Sequence, residues 1–151
     1  MTGLKAIADA ISVSASLTSC NVLRNRMDVA AAKLLVEAVK GRDVSLCGIQ
    51  PDQTSANYSR QELRPHDAVL LASDLSKAGV SASLTSLDIG YNEIGQEQAL
   101  NLVSIFKEKD QLKSVGLAGC SLGVKGAKAV AEYARVSASL TELNLRANGI
   151  G

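Results

Sequence analysis

His66 is the only histidine in the chain and stands beside Asp67, so an imidazole and a carboxylate could in principle share a proton. Adjacent residues at a helix start rarely aim at one point, and no nucleophile is tied to this pair. The two read instead as a helix N-terminus whose acidic member suits the helix dipole. Cys20, Cys47 and Cys120 fall in or near repeated slots of the sequence, where a buried thiol is inert. Gly116, Gly119, Gly123 and Gly126 are spaced like a phosphate loop yet lack the Gly-Lys-Ser/Thr ending that the chemistry needs. No group of side chains has metal-ligand spacing. These residues imply no catalytic site, no metal and no cofactor.

What the remaining residues can do is bind, and composition narrows the partner. Sixteen basic and fifteen acidic side chains leave a formal charge of +1, without a long run of either sign. Nucleic acid and anionic membrane both need a basic footprint, so neither is expected. No apolar run reaches the length of a membrane-spanning helix. Three separated cysteines are too few for a disulfide framework, which points to reduced thiols and a cytoplasmic protein. Leu17-Thr18-Ser19-Cys20 spells the lipid-attachment box of bacterial lipoprotein signal peptides. Against that reading, Lys5 is the only basic residue ahead of it, Asp9 interrupts the apolar stretch, and the same residues recur internally.

The elements that must position a binding surface follow from that recurrence. Val-Ser-Ala-Ser-Leu-Thr begins at Val13, Val80 and Val136, and the last two copies are two periods apart, with a variant unit between them. Aligned, the units read Leu84-x-x-Leu87-x-Ile89-x-x-Asn92-x-Ile94-Gly95, the same slots from Leu112 with Cys120 in place of Asn, and the same again from Leu140 with Asn148. Leu17 to Met27 fits with Cys20 in an apolar slot, and a weaker unit runs through Val44, Leu46 and Ile49. The alternating pair in each unit turns two side chains inward from a short strand. The Asn or Cys slot lies where a buried side chain can bond backbone groups left unpaired by the turning chain. Gly95, Gly123 and Gly151 suit a tight passage into the helix.

Between the strands, Ala127, Val130, Ala131 and Ala134 form one helical face, as do Ala99, Leu102, Val103 and Phe106. Ala32, Leu35, Val36 and Val39, and before them Leu4, Ile7, Ala8 and Ile11, repeat the pattern. Alternating Asn-type and Cys-type units with the period set by Leu84, Leu112 and Leu140 resemble the ribonuclease-inhibitor class of leucine-rich repeats, which also supplies the sensing arrays of NOD-like receptors and the Ran GTPase-activating proteins. The resemblance implies an α/β solenoid, curved and right-handed, with a parallel sheet on the concave side and helices on the convex side, used mainly to bind proteins. Two alternatives travel with it: GTPase activation in the manner of the Ran activators, and inhibition of a secreted ribonuclease.

The expected organisation is one array over residues 1–151, of about five such units, with a loop inserted at about 50–64. A helix is predicted after Pro65, with Ala68, Leu71, Ala72 and Leu75 on its buried face. Tyr58 and Arg60 are then candidates for gripping a partner from a projecting loop. On the concave face the candidates are Leu23, Arg24, Asp88 and Tyr91, then Lys113, Glu142, Asn144 and Arg146, with Tyr91, Arg24 and Arg146 as anchors. Mixed charge and one aromatic suit a protein partner. The chain begins with half a unit and stops where the next helix is due, so the expectation is a piece of a longer array or an open end that contacts another subunit.

Overall fold

In the computed structural model, which describes residues 2–151, the inward positions of successive units form one stacked row: Ala56, Leu87, Val115 and Leu143 pair in register across four parallel strands. The strands are β1 (Ser55–Asn57), β2 (Ser86–Asp88), β3 (Ser114–Gly116) and β4 (Glu142–Asn144), and they neighbour one another in chain order. Helices α1 (Thr2–Val13), α2 (Val29–Ala38), α3 (Pro65–Leu75), α4 (Ala78–Ser81), α5 (Gln96–Lys109) and α6 (Gly123–Val136) complete the element order. A parallel neighbour needs a crossover, and helices supply it here: α3 with α4, then α5, then α6 return the chain from one strand to the next. Sheet on one side and helices on the other sandwich a core that includes Leu35, Leu46, Leu71, Leu87, Ile89, Leu102 and Phe106. Burying each such side chain contributes roughly 1.5–3 kcal/mol.

Local chemistry sets the helix ends. The Asp28 carboxylate accepts from the Ala31 amide at 2.7 Å and caps α2. Pro65 starts α3, as its preset φ allows, and Asp67 accepts from the Arg64 amide at 2.9 Å. Gly95, at φ +81°, turns the chain into α5, which places Glu97 in its first turn and Lys107 and Lys109 in its last. The expected buried faces hold for α5 and α3, and in α2 for Ala32, Leu35 and Val39. In α6 the face is rotated: Gly126, Val130 and Tyr133 are buried, while Ala131 and Ala134 are exposed. The reason is that α6 packs on α5, where Tyr133 meets Phe106 with ring centroids 6.0 Å apart, and Gly126 lets the Leu122 side chain fold against the helix. Ile7 of α1, expected inside, is also exposed.

Residues 50–64, expected to project as an inserted loop, contain β1 instead. Ala56, Tyr58 and Leu63 precede Leu87, Ile89 and Ile94 by one constant offset and take the equivalent inward slots. The preceding segment at Val44 to Cys47 meets Ser19 through a single parallel bridge to Ser45, and no helix separates it from β1. Among the described residues no backbone hydrogen bond joins Val44–Cys47 to β1, so the ladder is interrupted there. Asp74, wholly buried on α3, fills the gap: its carboxylate accepts from the Ser45 hydroxyl at 2.6 Å and from the Leu46 and Cys47 amides at 2.7 and 3.1 Å.

Corners between strand and helix repeat as closely as the strands. Arg24, Arg60, Tyr91, Gly119 and Ala147 all take left-handed backbone, with φ between 55 and 62°. Each sits just ahead of the Asn, Gln or Cys slot. For a side-chain-bearing residue this conformation costs about 1–2 kcal/mol, so something must hold it. Buried Asn92 does so in its unit. Its amide nitrogen donates to the carbonyls of Tyr58 and Ile89 at 2.9 Å, and its carbonyl accepts from the amides of Leu63 and Gln61 at 2.9 and 3.2 Å. Asn148 repeats the set on Leu117, Leu145 and Cys120. Cys120 donates its thiol to the Ile89 carbonyl at 3.3 Å.

Replacing Asn92 with Ala leaves several buried backbone groups unpaired, and urea unfolding followed by circular dichroism should register a loss of about 3 kcal/mol or more. Asp74 makes a second test, because burial raises its pKa above the ordinary 3.8 despite the hydrogen bonds that oppose the shift. Between the unfolded and the folded value the native chain holds a proton that the unfolded chain has released, so this group's contribution falls as pH rises. Unfolding free energies of the wild type and Asp74→Asn should therefore run parallel below pH 3.8 and diverge, to the wild type's disadvantage, above it.

Candidate protein-binding surface

Outward side chains of the four strands form two rows in register. The first is Ser55, Ser86, Ser114 and Glu142, and the second is Asn57, Asp88, Gly116 and Asn144. Ser114 donates to the Glu142 carboxylate at 2.9 Å. The second row also closes each strand. Asn57, Asp88 and Asn144 accept from the amides of Ser59, Gly90 and Arg146, each next but one along the chain, at 2.9, 2.9 and 3.1 Å. Asn21 does the same for Leu23 at 3.1 Å. These short polar residues are bent toward their own backbone, as Asx turns require. A β-carbon on Gly116 would stand 2.6 Å from the Asp88 carboxylate, so glycine there gives Asp88 its room.

Above the rows lies the left-handed corner. The Arg60 guanidinium sits 4.0 Å from the centre of the Tyr91 ring. A β-carbon on Gly119 would stand 2.5 Å from the same ring, so Tyr91 is packed between Arg60 and the Gly119 backbone. Enough of the ring remains open for Tyr91 to count among the exposed large side chains. Arg60 and Tyr91, assigned from sequence to two separate surfaces, are thus one unit.

The other candidates divide. Lys113 is exposed just before β3 and Arg146 just after β4, while Arg24 is exposed at the first corner with its guanidinium 3.6 Å from Glu62. Leu23 is partly buried and packs on the core. Tyr58 is a structural residue: its hydroxyl donates to the Cys47 carbonyl at 2.8 Å across the interrupted ladder, and burial pushes its pKa up. Ser55 and Asn57 escaped the sequence reading. The signal that finds them is the alternation Ser55, Ala56, Asn57, Tyr58, which has its copy in Ser86, Leu87, Asp88, Ile89.

Burial also governs the thiols. It pushes Cys120 up to about 11, and it pushes Cys47 well above the ordinary thiol value, with Asp74 and Asp67 adding to the effect. The three cysteines are free. No group of histidine, cysteine and acidic side chains suited to a metal occurs among the described residues, and no helix of theirs is long and apolar enough to cross a membrane.

Stacked strand, corner and helix, tied from unit to unit by buried asparagines, define a repeat solenoid with a side-chain-bearing sheet face. A family model described as "Leucine Rich repeat" matches residues 80–97 and 136–151, which include the units with Asn92 and Asn148. The chain therefore has the fold of a leucine-rich-repeat solenoid, and these two units match the family's repeat. No curated protein matches it. Among solved structures it is similar to the tropomodulin C-terminal domain of Caenorhabditis elegans, at 13% identity over 87% of this chain and 91% of that one. The TM-score is 0.37, so the assignment rests on the repeat itself.

Thiol chemistry checks the packing. In native protein at about pH 8, iodoacetamide should label Cys20, which is only partly buried, long before Cys47 or Cys120. Rapid labelling of all three, read by mass spectrometry, would contradict the placement of the buried pair.

Proposed function

We propose that this chain is a non-enzymatic protein-interaction module that receives a protein partner on the concave face of its sheet, with the Arg60–Tyr91 stack as the anchor. The stack is the observation that carries the reading. An aromatic ring already held on both sides loses little further freedom on binding, and Tyr and Arg dominate interface energetics. Beside it the rows of small side chains leave the floor of the sheet low, so a partner can approach the backbone. Asp88, Asn144 and Glu142 line that floor, with Lys113, Arg146 and Arg24 around it, a mixed set of charges suited to a protein surface rather than a polyanion. Free cysteines agree with a cytoplasmic setting.

The reading is tested on an affinity-purified partner. Combined Tyr91→Ala and Arg146→Ala should weaken binding by roughly 100-fold, as for two interface anchors, with an unchanged circular dichroism spectrum. Unaltered affinity would remove the concave face from consideration. Stimulation of GTP hydrolysis by candidate small GTPases would instead favour the regulatory alternative.

A further inference from the structure

The N-terminal ends of α2 and α3 open onto one cleft of about 830 Å³, lined by the corner before α2 and the corner before α3. Three arginines surround it: Arg24, Arg26 and Arg64. Acidic residues are present too, but two of them are committed to backbone. Asp28 accepts from the Ala31 amide, and the two oxygens of buried Asp67 accept from the amides of Arg24 and Arg64, each at 2.9 Å. Those bonds anchor the main chain of both arginines and leave their guanidinium groups unused. Arg24 and Arg64 make only loose pairs, 3.6 Å from Glu62 and Glu93, with all four side chains mostly exposed. Such pairs are worth little and redirect easily. Among the described residues Arg26 has no ion pair.

The second observation lies within the cleft wall. His66 lines it, is 7% exposed, and carries a buried Nε2 without a hydrogen-bond partner. That atom is 3.4 Å from an Asp67 oxygen whose bond goes elsewhere. A buried polar atom left unpaired costs about 1–3 kcal/mol, a cost that a ligand able to reach it would relieve. Three guanidinium forks, joined by the ring nitrogen once the imidazole turns out of the wall, offer more donors than the two oxygens of a carboxylate take up. A phosphate monoester has three acceptor oxygens and a charge of roughly −2, and Arg meets it in bidentate pairs.

We propose that this cleft binds a phosphate monoester carried on a serine or threonine side chain of a protein partner. The site shares Arg24 with the rim of the proposed concave surface but is lined otherwise by the two helix starts, and it does not require that reading to hold. Titrating 15N-labelled protein with phosphorylated and unphosphorylated Gly-Ser-Gly peptides tests it. The phosphorylated peptide should give saturable shifts at the amides of residues 24–29, 64, 66 and 67, and the unphosphorylated one none. Arg26→Ala with Arg64→Ala should weaken binding by roughly tenfold or more, the worth of one charge-assisted hydrogen bond. His66→Phe, which keeps a ring and removes the nitrogens, should weaken it as well. Both variants must retain the wild-type spectrum outside the cleft. Arg146→Ala, at the far end of the sheet and outside the cleft lining, should leave the titration unchanged, which distinguishes this site from the concave surface. The proposal is overturned if no saturable shift occurs or if either cleft variant titrates like the wild type. Equal binding of acetate would assign the cleft to carboxylates, and inorganic phosphate binding as tightly as the phosphorylated peptide would overturn the assignment to a partner side chain.

Discussion

Each time a strand of this chain turns toward a helix, it carries amides and carbonyls into the interior with no neighbouring strand to receive them. Burying such groups unpaired costs more than any single apolar contact in the core returns. The fold depends on answering that demand once per unit. Asn92 and Asn148 answer it with an amide that donates and accepts, and each spans the preceding unit and its own. Cys120 supplies a thiol donor, Asp74 reaches across from α3 to the Val44–Cys47 segment, and Asp67 reaches from α3 to the Arg24 amide beside Asn25. Register, corner geometry and the direction of the outward side chains follow from these bonds.

The strength of the sequence signal followed how fully a unit stated its own chemistry. Leu84 to Gly95 fills every slot, and its strand, corner and helix stand where the spacing predicts. β1 was hidden because Gln53, Ala56 and Gln61 take slots usually held by leucine and asparagine, and its unit departs from the period of the later ones. Alanine serves there because the position needs an inward side chain rather than a large one. The helical stripe of α6 was misplaced because alanines occupy both candidate faces. Tyr133 decides which face turns inward by packing on Phe106, a tertiary contact that periodicity does not carry.

The candidate surface was legible as a set of outward positions and much less so as geometry. Asp88 and Asn144 read as binding residues, yet both commit a side-chain oxygen to the backbone next but one along the chain. Tyr91 was visible as an exposed aromatic, but its two neighbours, Arg60 and Gly119, come from other units and meet it only through the stacking of repeats. His66 and Asp67 read as a helix start, and they are one. That the same turn borders a cleft with Arg24 depends on α3 lying directly against α2, which no local pattern announces.

The break between Cys47 and β1 gives the molecule a mechanical character that an unbroken ladder would lack. Along β1 to β4 a pulling force is shared by rows of parallel backbone hydrogen bonds. At the break it falls on side chains, the Asp74 carboxylate and the Tyr58 hydroxyl, while the packing of α2 on α3 carries the load behind them. Side chains exchange partners with far less backbone motion than a ladder requires. Strain applied across the array would therefore concentrate at this junction, which can flex as a hinge while the segments on either side keep their shape.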